Sequence, residues 1–283
     1  MPLHIQDPEV LLAAAPWNLD ATRLAEAPID VPTMLAPEER RFYHWVGEEW
    51  ARDAGAIVEL GAFAGGGTAR LAAGVAARGG TQKVHAYDRF GANEQAKRRL
   101  LYPAGVAPFE GEDILGVAQG FLAPWADRVE LHPGEIEELG WQGDDIEVLV
   151  VDAGKKATTL DQIARQFYGA LIPGRSLLIQ QDFLHWKQPW LTAQMSLLGD
   201  CLRPVGFARD HTVAFLCTAQ ITPTRLQAAR LVGLSDETLI AHIERMRDAL
   251  ADWGFSDRFD RSIAALIASP NVRTAWQMRK PRG

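Results

Sequence analysis

The sequence predicts an α/β protein in which a doubly wound, mostly parallel sheet carries helices on both faces. Between residues 56 and 182, short apolar runs alternate with segments in which apolar residues recur every three or four positions. The short runs are nearly continuous in apolar residues, which is typical of parallel strands buried on both faces. After about residue 222 the strand signal ends, and residues 223–283 show helical patterns only.

Five runs are predicted to form the parallel strands, because each is short, aliphatic and bounded by glycine or polar residues. They span residues 56–61, 83–88, 128–132, 146–152 and 176–182. Two further segments, 208–211 and 212–217, are predicted to pair as a final hairpin. The second, fourth and fifth strands end in Asp88, Asp152 and Asp182. These acids should lie at the edge where open α/β sheets bind ligands.

Helices are predicted where apolar residues follow the helical repeat. They span residues 38–50, 68–78, 92–101, 114–122, 158–170, 190–200, 226–231, 236–251 and 256–267. Thr68 is expected to cap the second of these helices. In residues 1–37, six prolines interrupt any long helix, which predicts an arm or lid of short helices.

Composition and charge exclude several classes of function. The chain has 283 residues, of which 29 are lysine or arginine and 36 are aspartate or glutamate, so its net charge is −7. An acidic chain attracts neither nucleic acid nor an anionic membrane surface, so neither partner is expected. Its two cysteines, Cys201 and Cys217, form neither a disulfide framework nor a paired Cys-x-x-Cys zinc site. With no signal peptide and no run of about 18 apolar residues, the sequence predicts a soluble, cytoplasmic protein.

A glycine-rich segment lies between the first predicted strand and the helix that follows it. It reads Glu59-Leu60-Gly61-Ala62-Phe63-Ala64-Gly65-Gly66-Gly67-Thr68. Glycines at this place let the backbone turn tightly and approach a ligand, and the amides at the helix start favour an anionic group. Asp88, which ends the second strand, is placed to bind the hydroxyls of a ribose. Together these features predict a loop that binds a ribose-containing cofactor.

The segment differs from the two commonest nucleotide-binding loops. Phe63 replaces the second glycine of a Gly-x-Gly-x-x-Gly fingerprint and would crowd a pyrophosphate. No lysine precedes Thr68, as a phosphate loop of the Gly-x4-Gly-Lys-Ser/Thr type requires. The remaining pattern, Glu-x-Gly-x-Phe-x-Gly-Gly-Gly-Thr, resembles motif I of the class I S-adenosylmethionine-dependent methyltransferases. More narrowly, it is similar to the branch of macrocin-type sugar O-methyltransferases and cephalosporin-hydroxylase-like proteins.

Further positions resemble this family in the same order along the chain, over roughly residues 50–220. They are Asp88, Gly134-Glu135, Asp152, Asp161, Leu171-Ile172-Pro173-Gly174-Arg175 and Gln181-Asp182-Phe183. The resemblance implies a Rossmann-like fold of the methyltransferase type. With the helical patterns at both ends, it implies an N-terminal helical arm or lid over residues 1–50, a S-adenosylmethionine-binding domain over 51–220 and a C-terminal helical appendage over 221–283.

The resemblance also implies where the cofactor binds. The residues expected to hold S-adenosylmethionine are Glu59, Gly61, Ala62, Phe63, Gly65, Gly66, Thr68, Asp88, Arg89, Gly134, Glu135 and Asp152. The glycine loop would hold the methionine part, Asp88 the ribose, and Gly134 with Glu135 the adenine. Glu59 is expected to lie beneath the loop and accept hydrogen bonds from its amides.

The acceptor site is expected at the ends of the fourth and fifth strands. Asp152, Asp182 and His185 are the candidate catalytic residues, since a positioned carboxylate or imidazole can take up a proton. Asp152 and Asp182 are also candidate ligands for Mg²⁺ as a second cofactor. Structural roles stay open beside these, namely a helix cap for Asp152 and a purely structural role for His185.

The chain departs from the family at the same place. Ala153-Gly154-Lys155-Lys156 replaces the family's histidine after the fourth strand, and Gln181 replaces one acid of a pair in the metal-dependent members. These changes weaken the ligand set for a metal and leave the general base unassigned. At least one of Lys155 and Lys156 is expected to be a solvated surface charge.

The predicted activity is methyl transfer from S-adenosylmethionine to a hydroxyl, or less favourably an amine, of a small-molecule acceptor such as a sugar or natural product. Two other functions stay open. One is a protein of the same fold that binds the nucleoside but does other chemistry, such as hydroxylation, and the other is a non-catalytic binding or assembly module. The C-terminal helices suit a lid, a dimer surface or core packing, so a homo-oligomer also stays open.

Overall fold

A seven-stranded sheet organises the fold in the computed structural model, which describes residues 7–19, 30–209 and 211–281. Its strands are β1 Ala56–Leu60, β2 Val84–Asp88, β3 Val129–Pro133, β4 Ile146–Val151, β5 Leu177–Gln180, β6 Leu202–Ala208 and β7 Thr212–Cys217. They lie in the order β3-β2-β1-β4-β5-β7-β6. β2 is parallel to both β1 and β3, whereas β7 is antiparallel to both β5 and β6. The predicted α/β class, with a mostly parallel sheet and a final antiparallel hairpin, is confirmed.

Helices occupy the connections between strands and both ends of the described chain. They are α1 Pro8–Ala13, α2 Pro16–Leu19, α3 Pro37–Trp45, α4 Gly66–Ala77, α5 Glu94–Ala96, α6 Leu115–Leu122, α7 Ile136–Leu139, α8 Ala157–Phe167, α9 Pro189–Leu197, α10 Pro223–Ala228, α11 Asp236–Ala249 and α12 Ser256–Ala268. α3 and α5 continue as π-helical turns over Val46–Trp50 and Lys97–Leu101. Across the three described ranges, no helix is long and apolar enough to cross a membrane.

The predicted N-terminal arm is described in part. Short helices α1 and α2 begin at Pro8 and Pro16, as expected where proline starts a helix. Pro2 and Pro28, two of the six prolines that predict the arm, lie outside the described residues.

The final hairpin differs from the prediction in its first strand. β6 covers Leu202–Ala208, whereas the sequence predicts that strand at 208–211, a segment that includes Asp210, outside the described residues. Pro204 argues against a strand, because proline donates no hydrogen bond to a neighbour. In the structure β6 is an edge strand, and its register shifts between Pro204 and Gly206. Both features tolerate a missing donor, so the proline is accommodated.

Two compact units divide the chain. One consists of residues 14–150, and the other of the residues up to Ala13 together with those from Val151 onward. In the second unit, helix α11 buries Leu239, Ile243 and Met246, the face that the helical spacing predicts. α11 packs on α9, so the C-terminal helices are a packed part of this unit.

Glu147 is a fully buried acid in the middle of β4, within the unit of residues 14–150. A buried carboxylate is costly unless hydrogen-bond donors surround it. One of its oxygens accepts from the backbone N–H of Arg52 at 2.9 Å. The other accepts from the N–H of Ala54 at 3.0 Å and from the side-chain amide of Gln82 at 2.7 Å. The acid therefore holds the turns that precede β1 and β2.

Replacing Glu147 with alanine is expected to lower the free energy of unfolding by about 1–3 kcal/mol, because three donors lose their acceptor at a buried position. Urea-induced unfolding followed by circular dichroism measures this loss. Glu244→Ala, at an exposed position of α11, is the control and should stay within about 0.5 kcal/mol of the wild type. An unfolding free energy equal to that of the control would show that the buried acid is dispensable.

Candidate functional site

The glycine loop connects β1 to α4 and is tied to the end of β2 by its backbone. Gly61 and Ala62 donate their N–H groups to the carbonyl oxygen of Tyr87, at 2.8 and 3.3 Å. The φ angles of Gly61 and Gly65 are 98° and 91°, and that of Phe63 is 52°. Glycine adopts such values at little cost, whereas a residue with a side chain pays roughly 1–2 kcal/mol. The loop therefore requires glycine at two positions and holds Phe63 under strain.

Glu59 lies beneath the start of α4 and is almost fully buried. Its carboxylate accepts a hydrogen bond from the hydroxyl of Thr68. A Cβ atom on Gly67 would fall 1.9 Å from Oε1 of Glu59, so no side chain fits there. The prediction that Thr68 caps this helix is wrong, because Gly65 occupies the N-cap position and Thr68 is already inside α4. The Thr68 hydroxyl instead satisfies the buried acid.

The other two glycines of the run also meet neighbouring atoms. A Cβ atom on Gly65 would lie 2.6 Å from Cδ1 of Leu122, and one on Gly66 would lie 2.5 Å from Cβ of Thr33. Backbone conformation thus requires glycine at position 65, and the backbone oxygen of Pro32, 2.7 Å from a Cβ at position 66, requires it there. Gly65 also has no side chain with which to cap α4. The helix start consequently presents backbone N–H groups, which suit an anionic or polar ligand.

Asp88, half-buried at the end of β2, joins the loop to two further turns. Its Oδ2 accepts from the backbone N–H of Phe63 at 3.0 Å, and its Oδ1 from that of Phe90 at 2.6 Å. The backbone carbonyl of Asp88 accepts from the N–H of Gly134 at 2.9 Å. One residue therefore gathers the glycine loop and the turns that follow β2 and β3.

The remaining predicted cofactor residues of this unit flank these turns. Nη1 of Arg89 lies 3.9 Å from Oε1 of Glu135, and both side chains are largely exposed. Ala62 is buried, and the partly buried ring of Phe63 packs against the hydrophobic cluster that contains Phe90. The structure thus brings the predicted cofactor residues of this unit together, whereas their role in binding stays a prediction.

Asp152 and Asp182 belong to the other unit, where Lys155 joins them. Asp152 directly follows β4, and Asp182 lies two residues after the end of β5. Nζ of Lys155 lies 2.9 Å from Oδ1 of Asp152 and also donates to Oδ2 of Asp182. The amide of Gln188 donates to the same oxygen of Asp182 at 2.7 Å. The sequence predicts that at least one of Lys155 and Lys156 is a solvated surface charge. Lys156 is exposed, whereas Lys155 belongs to the site.

Neighbouring charges keep Asp182 and Lys155 ionised. Burial alone would raise the pKa of Asp182, but the ammonium of Lys155 and the hydrogen bonds to Asp182 hold that pKa below its usual range. Burial alone would lower the pKa of Lys155, but the two carboxylates outweigh it and raise that pKa. The ionised Asp182 beside the ammonium of Lys155 is an arrangement that can orient a hydroxyl group and accept its proton.

The same contacts test the expected Mg²⁺ site. Magnesium binds oxygen ligands at about 2.0–2.1 Å in a nearly octahedral arrangement. Here the ammonium of Lys155 already lies against both candidate ligands, Asp152 and Asp182. It takes the place of a cation between the carboxylates and repels a second one. The residues therefore do not fit a Mg²⁺ site, and no step of the chemistry is assigned to this ion.

His185 lies in the segment after β5, beside Trp186 and His211, with ring centroids 6.0 and 5.4 Å away. Burial and neighbouring positive groups lower the pKa of His185, and Asp182 offsets only part of this shift. Nδ1 of His185 accepts a hydrogen bond from the backbone N–H of Lys187 at 3.2 Å. The neutral ring then carries its proton on Nε2, which makes it a donor. The general-base role of His185 stays a prediction, and this geometry favours a role as donor.

Residues near the C-terminus flank the Lys155 segment. The N–H of Ala157 donates to the carbonyl oxygen of Arg273 at 3.0 Å, and the N–H of Ala275 donates to that of Lys155 at 2.9 Å. Nζ of Lys156 lies 5.6 Å from the ring centroid of the exposed Trp276. No motif in the tail predicts these contacts, because backbone pairing leaves little trace in side-chain identity. The tail therefore helps to shape the surroundings of the acid pair.

Asp161, one of the residues that carry the family resemblance, has a structural contact. Its carboxylate accepts from the backbone N–H groups of Leu231 and Val232, at 2.8 and 2.9 Å. These bonds anchor the turn that leads into α11 to helix α8.

Replacing Lys155 with methionine is expected to raise the pKa of Asp182, because the ammonium is lost while burial remains. In the wild type, the pKa of Asp182 is lower in the folded than in the unfolded protein. Ionised Asp182 therefore stabilises the fold fully above about pH 4, and this contribution is lost as the pH falls further. In Lys155→Met, the folded pKa moves above the unfolded value, so ionised Asp182 destabilises the variant. The difference in unfolding free energy between the two proteins should therefore narrow between about pH 7 and pH 4. Carboxyl NMR titration and urea unfolding measure the two effects.

Lys156→Met is the matched control, since Lys156 is the exposed neighbour of Lys155. It should leave the pKa of Asp182 and the pH dependence of unfolding as in the wild type. If the Asp182 titration is the same in Lys155→Met as in the control, the ammonium contact does not govern this carboxyl.

Comparison with known proteins yields similar solved structures, whereas no protein-family model and no curated protein sequence matches the chain. The chain is similar to the O-methyltransferase NovP, with 18% identity over 66% of this chain and 82% of that one, and a TM-score of 0.49. It is similar to CalS11, a TDP-rhamnose 3'-O-methyltransferase of calicheamicin biosynthesis, with 15% identity, 63% and 76% coverage, and a TM-score of 0.43. It is also similar to the SAH-bound Podospora anserina methyltransferase PaMTH1, with 14% identity over 88% of this chain and 80% of that one, and a TM-score of 0.37. Because the TM-scores lie below 0.5, these likenesses do not define the family of this chain, and its function is inferred from its residues.

Proposed function

We propose that this chain is a class I S-adenosylmethionine-dependent methyltransferase. Its proposed acceptor is a hydroxyl, or less favourably an amine, of a small molecule such as a sugar or natural product. The observation that carries the proposal is the 3.0 Å hydrogen bond from the backbone N–H of Phe63 to Asp88. It joins the glycine loop at the start of α4 to the acid that ends β2. A helix start beside a carboxylate suits a ligand that has both an anionic group and a ribose.

The residues of this unit fit the cofactor. The backbone N–H groups at Gly66 and Gly67 would hold the methionine carboxylate at the helix start. Each oxygen of Asp88 accepts one backbone N–H and has a further lone pair for a ribose hydroxyl. Gly134 and Glu135, after β3, would border the adenine. When bound, S-adenosylmethionine supplies a sulfonium methyl group for transfer.

The acceptor chemistry is assigned to Asp152, Lys155 and Asp182. A hydroxyl oxygen that gains a methyl group must lose its proton, and a positioned carboxylate can take that proton. Lys155 holds the two carboxylates in place and keeps Asp182 ionised. His185, with Nδ1 occupied by a backbone N–H, would donate a hydrogen bond to the acceptor.

The loop pattern supports one branch of the methyltransferases. The order Glu-x-Gly-x-Phe-x-Gly-Gly-Gly-Thr is similar to the macrocin-type branch, whose members methylate sugars. Sugars and related natural products present vicinal hydroxyls, which can donate to the Asp152 and Asp182 carboxylates and accept from Lys155. A small hydroxylated molecule is therefore the proposed substrate class.

The full chain is expected to bind S-adenosylmethionine and S-adenosylhomocysteine in isothermal titration calorimetry. Asp88→Asn removes the charge but keeps an oxygen that can accept the loop amide. It should weaken both affinities at least about tenfold, since a hydrogen bond to a charged group contributes about 1.5–3 kcal/mol. Asp127→Asn, at an exposed acid outside the loop, is the control and should bind as the wild type does.

Two outcomes of this titration would contradict the proposal at different points. If the wild type binds neither compound, the methyltransferase proposal fails. If Asp88→Asn binds as tightly as the control, the cofactor binds but the ribose assignment to Asp88 is wrong.

Methyl transfer is tested with methyl-labelled S-adenosylmethionine and a panel of hydroxylated sugars and natural products. Lys155→Met should reduce kcat at least about tenfold, the typical contribution of proton transfer being 10²–10⁴-fold, and leave the affinity for S-adenosylhomocysteine unchanged. Lys156→Met is the control, and added Mg²⁺ should not raise the rate. Tight cofactor binding without transfer to any acceptor would favour other chemistry on the same fold or a non-catalytic module.

A further inference from the structure

Three side chains with metal-binding atoms meet on one face of the paired strands β2 and β3. His85 lies opposite Glu130 in the parallel register, and His132 follows Glu130 by two residues, which places it on the same face. β3 is the edge strand of the sheet. Within the described part of the chain, this is the one group of three such side chains whose ligand atoms all lie within 4.8 Å of one another.

The distances within the group match those around a metal ion. Nδ1 of His85 lies 3.1 Å from Nε2 of His132. The two oxygens of Glu130 lie 3.8 Å from Nδ1 of His85 and 3.7 Å from Nε2 of His132. A tetrahedral zinc with bonds of about 2.0–2.1 Å holds its ligand atoms roughly 3.4 Å apart. One ligand atom from each of the three side chains lies within 4.8 Å of the other two, a spacing at which one central ion could contact all three residues.

A hydrogen bond between the two rings explains only part of this arrangement. It would join His85 to His132 through one proton, but it gives no reason for Glu130 to face both ring nitrogens. Burial lowers the pKa of both histidines, so the rings are neutral near pH 7 and offer lone pairs to a metal. A divalent cation would be bound by both lone pairs and would also balance the carboxylate charge.

The surroundings hold the two rings in place. The ring of His132 stacks on Tyr87, with centroids 4.2 Å apart and planes 9° from parallel. The rings of Trp141 and His85 are nearly perpendicular, with centroids 5.1 Å apart. The imidazole side chains are 17% and 24% exposed, and that of Glu130 is 56% exposed. The ligand atoms are thus preorganised by aromatic packing, and solvent reaches the group from the side of Glu130.

We propose that His85, Glu130 and His132 form a binding site for a divalent transition metal of the Zn²⁺ type. Two imidazoles and one carboxylate are a zinc ligand set, and they leave a fourth position open to water. Nitrogen ligands disfavour Mg²⁺ and Ca²⁺, which prefer oxygen. The bound ion would fasten the edge strand β3 to β2. This site is separate from the acid pair of Asp152 and Asp182, and it does not depend on the proposed methyl transfer.

The test uses the full chain, with any affinity tag removed and with metals stripped by a chelator that is then dialysed away. Co²⁺ serves as the probe, because its visible absorption reports low-coordinate nitrogen and oxygen ligation. One Co²⁺ per chain is expected to bind, and Zn²⁺ is expected to displace it. His132→Gln and Glu130→Gln should each weaken Co²⁺ binding at least about tenfold, because losing even an outer partner of a metal ligand costs 10–100-fold.

His242→Gln is the matched control, since His242 is a partly buried histidine on α11, outside the cluster. It should bind Co²⁺ as the wild type does. As a second measurement, Zn²⁺ should raise the Tm of the wild type and of His242→Gln but not that of His132→Gln, because a ligand of the native state stabilises it by mass action. Circular dichroism verifies that each variant is folded. Absence of 1:1 Co²⁺ binding, or equal affinity in all four proteins, would overturn the proposal.

Discussion

Carboxylates on buried strands, or at the ends of those strands, need hydrogen-bond donors, and this requirement recurs throughout the structure. A carboxylate removed from water is costly unless donors surround it, and each acid here draws a particular segment toward the sheet. Glu147 holds the turns before β1 and β2, and Glu59 receives the hydroxyl of Thr68 beneath α4. Asp88 receives the N–H of Phe63 and so closes the glycine loop. The loop geometry proposed to bind a cofactor is therefore a consequence of satisfying acids.

In the other unit the same constraint is met by a cation of the chain itself. Asp152 and Asp182 end neighbouring strands, and Lys155 lies against both. In this structure the ammonium lies against both carboxylates, where Mg²⁺ was expected, and it keeps Asp182 ionised. A fixed ammonium also differs chemically from a metal, because it donates hydrogen bonds in set directions and leaves the carboxylates able to take up a proton. In this structure a lysine of the chain therefore contacts the acid pair at the place where a metal was expected.

In the histidine cluster on β2 and the edge strand β3, the chain itself does not supply the cation. The neutral rings of His85 and His132 lie close to the carboxylate of Glu130, and no ammonium or guanidinium of the described residues contacts all three as Lys155 contacts the acid pair. There the balancing charge would come from solution. Both clusters bring electron-pair donors of adjacent strands close together, and they would differ in whether the chain or the solution supplies the cation. The sequence does not reveal the histidine cluster, because it depends on the register between β2 and β3.

Local patterns in the sequence determined the alternation of strands and helices, the glycine loop after β1, and the acids at strand ends, because period and turn chemistry are properties of neighbouring residues. Local patterns did not predict the position of β6, because Pro204 argues against a strand unless that strand is known to lie at the edge of a sheet. Only the tertiary structure decided which donor satisfies each acid. Lys155 is identical in type to its exposed neighbour, and only the approach of the β4 and β5 ends places it between Asp152 and Asp182. Hydrogen-bond partners are chosen by strand register and packing, which join residues that no local pattern contains.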